Sequence, residues 1–187
     1  GAVTTLRRVV VTGIGCVTPI GTGAEGLWDG LRARRSAVRT ITRFDPTPFR
    51  SRIAAEIPDF RPDDFLDARR ARRYDRFSQL SVVSSQQALG AAGLDLAKED
   101  RDRIGVMMGS ALGGVAFAEA QVGAYAQGGL HAVDPALALT VFGGASSCNI
   151  AIEFGLSGPN VTNAMSCASG TVAVGEAFHS IRDGRAD

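Results

Sequence analysis

Apolar residues recur along this chain in short β-branched runs separated by stretches of helical period. Arg8 to Gly15, RVVVTGIG, is one such run closed by glycines, which predicts a central strand buried on both faces. A helix should follow: Thr22 and Glu25 make a T-x-x-E capping box, and Leu27, Trp28 and Leu31 share a face before Arg32, Arg34 and Arg35 close it. Between Thr40 and Pro62, Pro46, Pro48 and Pro58 mark an extended, loop-like stretch. From Asp63 the pattern is helical again, with Phe77, Leu80, Val83 and Leu89 on the buried side and an end near Gly93.

Ile104 to Ser110, IGVMMGS, predicts a second buried strand, and Ala111-Leu112-Gly113-Gly114 a tight turn after it. Residues 115–127 and 135–153 read as helices parted by Gly128-Gly129, the second opened by Asp134 as N-cap and Pro135 at its first position. Gly158-Pro159 is a turn and Val161 to Ser166 a third strand. The chain then passes through Cys167 into an apolar helix from Ala168 to Arg182, stopped by Asp183-Gly184. Strands alternating with helices argue for an α/β fold with a largely parallel sheet.

Charge sharpens this picture. The 187 residues carry 20 Lys+Arg against 19 Asp+Glu, a net +1, which removes any bulk electrostatic case for nucleic acid or an anionic membrane. Of these 39 side chains 31 fall in residues 1–103, so the second part of the chain reads as interior. Its longest uncharged run, Phe154 to Gly175, has the length of a membrane span but contains Pro159, two Asn and four Gly, and predicts soluble packing. No apolar signal segment precedes Val9-Val10-Val11, so a cytoplasmic address is expected. Cys16, Cys148 and Cys167 are too widely spaced for a disulfide framework or a CxxC metal pair, and reduced thiols are expected.

Cys167 is the chemical candidate. The run Asn163-Ala164-Met165-Ser166-Cys167-Ala168-Ser169-Gly170 sets a thiol between a strand and a helix N-terminus, where unpaired N–H groups and the helix dipole favour a thiolate nucleophile. Small neighbours admit an acyl substrate, and the Cys167 N–H is placed to donate to an oxyanion, which suits covalent acyl transfer. A cysteine beside a buried strand is, on its own, more often an inert core residue. Cys16 and Cys148, away from any predicted helix start, read as structural. The two histidines do not complete a dyad: His179 lies 12 positions on along the same helix, roughly 18 Å along its axis, and His131 sits in the turn after Gly129. Arg69, Arg70, Arg72, Arg73 and Arg76 form the densest basic cluster, either a solvated helix face or a docking surface; no aromatic platform beside it suggests nucleic acid.

Four segments, RRVVVTGIGCVTPIG, RIGVMMGSALGG, FGLSGPNVTNAMSCASG and the closing GRAD, together resemble the N-terminal half of an elongating β-ketoacyl-acyl-carrier-protein synthase of the thiolase superfamily. The resemblance implies a thiolase-like α/β fold, a mostly parallel sheet with helices on both faces, with residues 1–187 as its N-terminal half and the C-terminal half absent. It implies that Cys167 takes an acyl chain from acyl carrier protein, that malonyl-carrier protein loses carbon dioxide, and that the carbanion attacks the Cys167 thioester. Substrates ride on the carrier's phosphopantetheine, with no metal or other cofactor, and the catalytic histidines lie beyond residue 187. Leu112, Ala136 and Leu137 would line the acyl tunnel, the latter pair across a dimer interface, and their modest size suggests a long tunnel of polyketide type. Arg69, Arg72 and Arg73 would receive the acidic carrier, and the subunit would pair with itself or with a second ketosynthase-like chain. Two other readings stay open: a non-catalytic synthase-like partner, against which Cys167 argues, and a thiolase or starter-condensing acyltransferase. On this resemblance residues 1–187 alone would leave the apolar faces of residues 104–182 uncovered and be insoluble or inactive.

Overall fold

Two units emerge in the computed structural model, which describes residues 6–187: one holds residues 6–11, Leu66–Val82 and Asp95–Asp187, the other Thr12–Phe65 with Val83–Leu94. The second unit begins with a tight antiparallel hairpin, β1 (Val17–Thr18) and β2 (Gly21–Thr22), and runs into α1 (Gly23–Arg32). The expected capping box does not form. Thr22 is an extended β2 residue paired with Val17, its side chain makes no cap bond, and the Gly23 N–H donates instead to Cys16 O at 2.7 Å. The apolar face of α1 has the anticipated period but points outward at Trp28 and Leu31. The proline-marked stretch is more ordered than its composition suggests. β3 (Val38–Thr40) pairs antiparallel with β4 (Ile53–Ala55), and Pro62–Asp64 make a 3-10 turn.

The helix expected from Asp63 is divided in two. Asp67 caps α2 (Ala68–Ala71), its Oδ1 accepting from the Arg69 and Arg70 N–H groups at 3.1 Å each, and the chain restarts as α3 (Arg76–Ala92). In α3 the wholly buried side chains are Ser78, Val82 and Val83.

The first unit is organised on β5 (Val106–Gly109), which runs parallel to β6 (Asn160–Asn163) with Val106 opposite Asn160 and Gly109 opposite Asn163. Between them lie α4 (Val115–Gly128), a 3-10 turn at Leu130–Ala132, α5 (Leu137–Thr140) and α6 (Ala145–Phe154), and α7 (Ser169–Arg182) follows. Strand residues two apart share a face, and Val106 and Met108 pack with Ile150, Ala151 and Phe154 of α6. Gly109 faces the other way, onto α7: a Cβ there would come within 2.3 Å of the Ser169 carbonyl group. Helices therefore cover both faces of the parallel pair. At the chain's end the Asp187 carboxylate accepts from the guanidinium groups of Arg103 and Arg7, which hold it well below the usual carboxylate range.

Two expectations need correction. Arg8 to Gly15 joins no strand among the described residues, and Val11 stays 79% exposed. A run of apolar residues becomes a strand only where a neighbour completes its hydrogen-bond ladder, and among the described residues none does so here. The α/β architecture with helices on both faces of a parallel pair stands, and among the described residues two antiparallel hairpins accompany that pair. The helix over 135–153 is interrupted between α5 and α6, where Gly143 receives the turn that follows β5.

Candidate active site

Parallel strands present ligands at their carboxyl ends, and there β5 and β6 each release a turn. Asn163, the last residue of β6, ties its turn down with every polar atom of its side chain. Its Nδ2 donates to Met108 O at 3.2 Å and to Ser169 O at 3.0 Å, and its Oδ1 accepts from the Met165 N–H at 3.2 Å. The backbone then passes through Ser166 at φ +53°, a left-handed conformation unusual for a side chain with a Cβ. Cys167 sits in the 3-10 turn Ser166–Ala168 that leads into α7, free and exposed. Within these 187 residues Cys167 is not part of the core, and Ala168 and Gly170 beside it are likewise open. Cys16 and Cys148 are free and half-buried.

The neighbouring turn is built differently. Ser110 N donates to Asn163 O at 3.0 Å, the Ser110 hydroxyl accepts from the Gly113 N–H at 3.1 Å, and Gly113 turns the chain at φ +54°. The Gly114 N–H donates to Val141 O at 3.1 Å, and a Cβ on Gly113 would lie 2.8 Å from Gly143 Cα, so this turn rests on the segment after α5. Leu112 projects from its tip, 71% exposed.

In the same unit a groove of about 780 Å³ is lined by Arg72, Arg73, Tyr74, Ala136, Leu139 and Ile152, among others. Arg70 Nη1 and the Tyr74 hydroxyl both donate to the Glu153 carboxylate at 2.9 Å. Burial, and then the bond to Glu153, push Tyr74 up to about 12. Arg69, Arg72 and Arg73 are exposed and form no ion pair among the described residues, whereas Arg70 is committed to Glu153.

The structure thus gathers some of the predicted residues and separates others. Arg72 and Arg73 meet Ala136 in the groove, and the Leu112 turn packs on the segment that α5 enters. Cys167, Arg69 and Leu137 do not line that groove, and Leu137 is half-buried in α5. His131 is exposed in its 3-10 turn, and His179 is exposed on α7 with its ring edge-on to Phe178 at 5.4 Å. Sequence reasoning passed over Asn163, for which the available signal was an asparagine inside an expected strand, where that residue is disfavoured. It also passed over Tyr74 and Glu153, which nothing in the local pattern links. Among the described residues no three His, Cys, Asp or Glu side chains converge on a metal position, and no helix is long and apolar enough to cross a membrane.

Known proteins are similar to this chain. The family model for the N-terminal domain of β-ketoacyl synthases matches residues 6–187. The chain is 37% identical over 180 residues to 3-oxoacyl-[acyl-carrier-protein] synthase 2 of Synechocystis sp., which covers 96% of this chain and 43% of that protein. It is 44% identical over 188 residues to the tetracenomycin polyketide synthase ketoacyl synthase alpha subunit of Streptomyces glaucescens, covering 97% of this chain and 44% of the relative. Among solved structures, the ishigamide ketosynthase/chain length factor superposes with a TM-score of 0.87 at 35% identity, over 97% of this chain and 46% of that one. The chain spans less than half the length of the curated relatives it matches. With the parallel pair, the exposed cysteine at its carboxyl end and a match across the whole described range, this chain belongs to the β-ketoacyl synthase family, to whose N-terminal domain it corresponds.

Proposed function

We propose that this chain is the nucleophile-bearing part of a ketosynthase that forms carbon–carbon bonds in fatty-acid or type II polyketide assembly. The Cys167 sulfur attacks the thioester carbonyl of an acyl chain on an acyl carrier protein, and the carrier's phosphopantetheine thiol leaves. Loss of carbon dioxide from a malonyl-carrier protein then supplies a carbanion, which attacks the Cys167 thioester and expels the Cys167 thiolate as the 3-ketoacyl product forms. The observation that carries this reading is the exposed thiol at a strand-to-helix elbow, where a backbone N–H can meet the oxyanion of each tetrahedral intermediate. The groups that activate malonate belong, on this reading, to sequence beyond residue 187, so the 187 residues form the N-terminal half of the working enzyme.

The unpaired Arg69, Arg72 and Arg73 suit an acidic carrier protein, and Leu112, Ala136 and Leu137 suit the walls of an acyl tunnel. The name of one relative includes an acyl carrier protein and a solved neighbour is a ketosynthase/chain length factor; on this reading the chain works on carrier-bound acyl groups, pairs with itself or with a second ketosynthase-like subunit, acts in the cytoplasm and needs no metal or resident cofactor. The test is peptide mapping of the full-length protein after incubation with acyl-loaded carrier protein. An acyl adduct should appear on Cys167, and Cys167→Ala should lower condensation by at least about 1000-fold. No adduct, or one confined to Cys16 or Cys148, would overturn the reading.

A further inference from the structure

We infer that Asn163 is a positioning residue for the Cys167 nucleophile, acting by clamping the turn on both sides of it. This rests on the acyl-transfer reading of Cys167. The clamp spans the elbow: one bond reaches Met165, two residues before the cysteine, and another reaches Ser169, two residues after it. The third bond anchors the same amide to Met108 O on β5, so the reference point is the neighbouring strand rather than the loop itself.

A primary amide is the group this site needs. Two donors serve two carbonyls and one acceptor serves a backbone N–H, and no other side chain of that length offers both. The Asn163 backbone carbonyl meanwhile accepts from Ser110 N, so the residue is held as firmly as it holds. Between its two attachment points the chain adopts φ +53° at Ser166, a conformation a serine does not keep without outside support. Cys167 is the next residue. The clamp therefore sets where the sulfur and its own N–H stand relative to a bound thioester, and touches neither substrate nor thiol.

The decisive measurement is single-turnover acylation of Cys167 by acyl-carrier protein in full-length wild type, Asn163→Ala and Asn163→Asp. Asn163→Asp keeps the size and the acceptor for Met165 but lacks both donors. The acylation rate constant should fall about 10- to 100-fold, the cost of a nucleophile displaced on the ångström scale. The carrier concentration giving half the maximal rate should stay within about threefold, about 0.7 kcal/mol at about 1.4 kcal/mol per tenfold, and Cys16 and Cys148 should stay as resistant to iodoacetamide as in wild type. That split separates positioning from general loosening, which would expose the half-buried thiols as well.

Acylation within about threefold of wild type in a folded variant would overturn the inference. Should both variants unfold, hydrogen exchange in the wild type decides. A Met165 amide protected at least about tenfold over an unstructured peptide supports the clamp, and an unprotected one overturns it. Wild type that acquires no acyl group on Cys167 would overturn the function and this inference together, whereas normal wild-type acylation with unaffected variants would overturn the inference alone.

Discussion

Two turns leave the same end of the parallel pair with nearly the same left-handed backbone angle, +54° at Gly113 and +53° at Ser166, yet they reach it by opposite means. At Gly113 the residue itself makes the angle cheap, and the Ser110 hydroxyl closes a turn that presents Ala111 and Leu112. At Ser166 a Cβ costs about 1–2 kcal/mol in that region, and the neighbouring Asn163 offsets it with three hydrogen bonds of about 1 kcal/mol each. A glycine turn holds its shape by what it lacks. The cysteine turn holds its shape because its surroundings insist on it, and the nucleophile inherits that rigidity. Strain of this kind concentrates where chemistry needs a pre-set geometry.

The two turns share one support, and removing it should have the largest effect. Gly109 lies where β5 passes beneath the start of α7, and a methyl group there would meet the Ser169 carbonyl group at 2.3 Å and the Gly170 nitrogen at 2.6 Å. These are backbone atoms and cannot rotate aside, so Gly109→Ala must push α7 away from the strand. The full-length variant should lose about 3 kcal/mol by urea denaturation, the upper end of overpacking costs, along with acylation of Cys167. A midpoint equal to wild type would break the claim that strand and helix backbones are in contact there.

The parts that the sequence foretold share a physical character. β5, α4, β6 and α7 stand within a few residues of where periodicity and turn residues placed them, because those signals are local and each element satisfies its own pattern. The elbow was legible for the same reason: strand, thiol and helix are consecutive. What failed was non-local. Arg8 to Gly15 has the composition of a strand, but composition does not supply a ladder partner. The interruption near Gly143 follows from the packing of the Gly113 turn, from a different stretch of chain. Arg72 and Arg73 meet Ala136 in one groove only because the chain between them folds back. Asn163 read only as part of the strand Val161 to Ser166, and nothing local points to its anchor on Met108, 55 positions away.

Next in size is the glycine turn by itself. Gly113→Ala adds a methyl group at φ +54° and brings it to 2.8 Å from Gly143 Cα. Left-handed strain and the contact together should cost about 2 kcal/mol, read from the same denaturation curves. Because the Asn163 clamp is untouched, acylation of Cys167 should stay within about threefold of wild type, under 1 kcal/mol in barrier. A large loss of acylation without loss of stability would show the two turns to be mechanically coupled and would erase the distinction between them.

The smallest effect, and the sharpest comparison, is expected from the reciprocal change. Ser166→Gly relieves about 1 kcal/mol of left-handed strain in the folded protein, while the added freedom of glycine stabilises the unfolded chain by about 0.5–1 kcal/mol. The two nearly cancel, so stability should move by less than about 0.5 kcal/mol. Acylation of Cys167 should again hold within about threefold, because the turn is clamped at Met165 and Ser169 whatever residue stands between them. If Ser166→Gly instead lost activity as severely as Asn163→Ala, the serine itself would be holding the elbow. The rigidity of the nucleophile would then belong to the strained residue rather than to its neighbour, and the contrast with Gly113 would have to be redrawn on that residue.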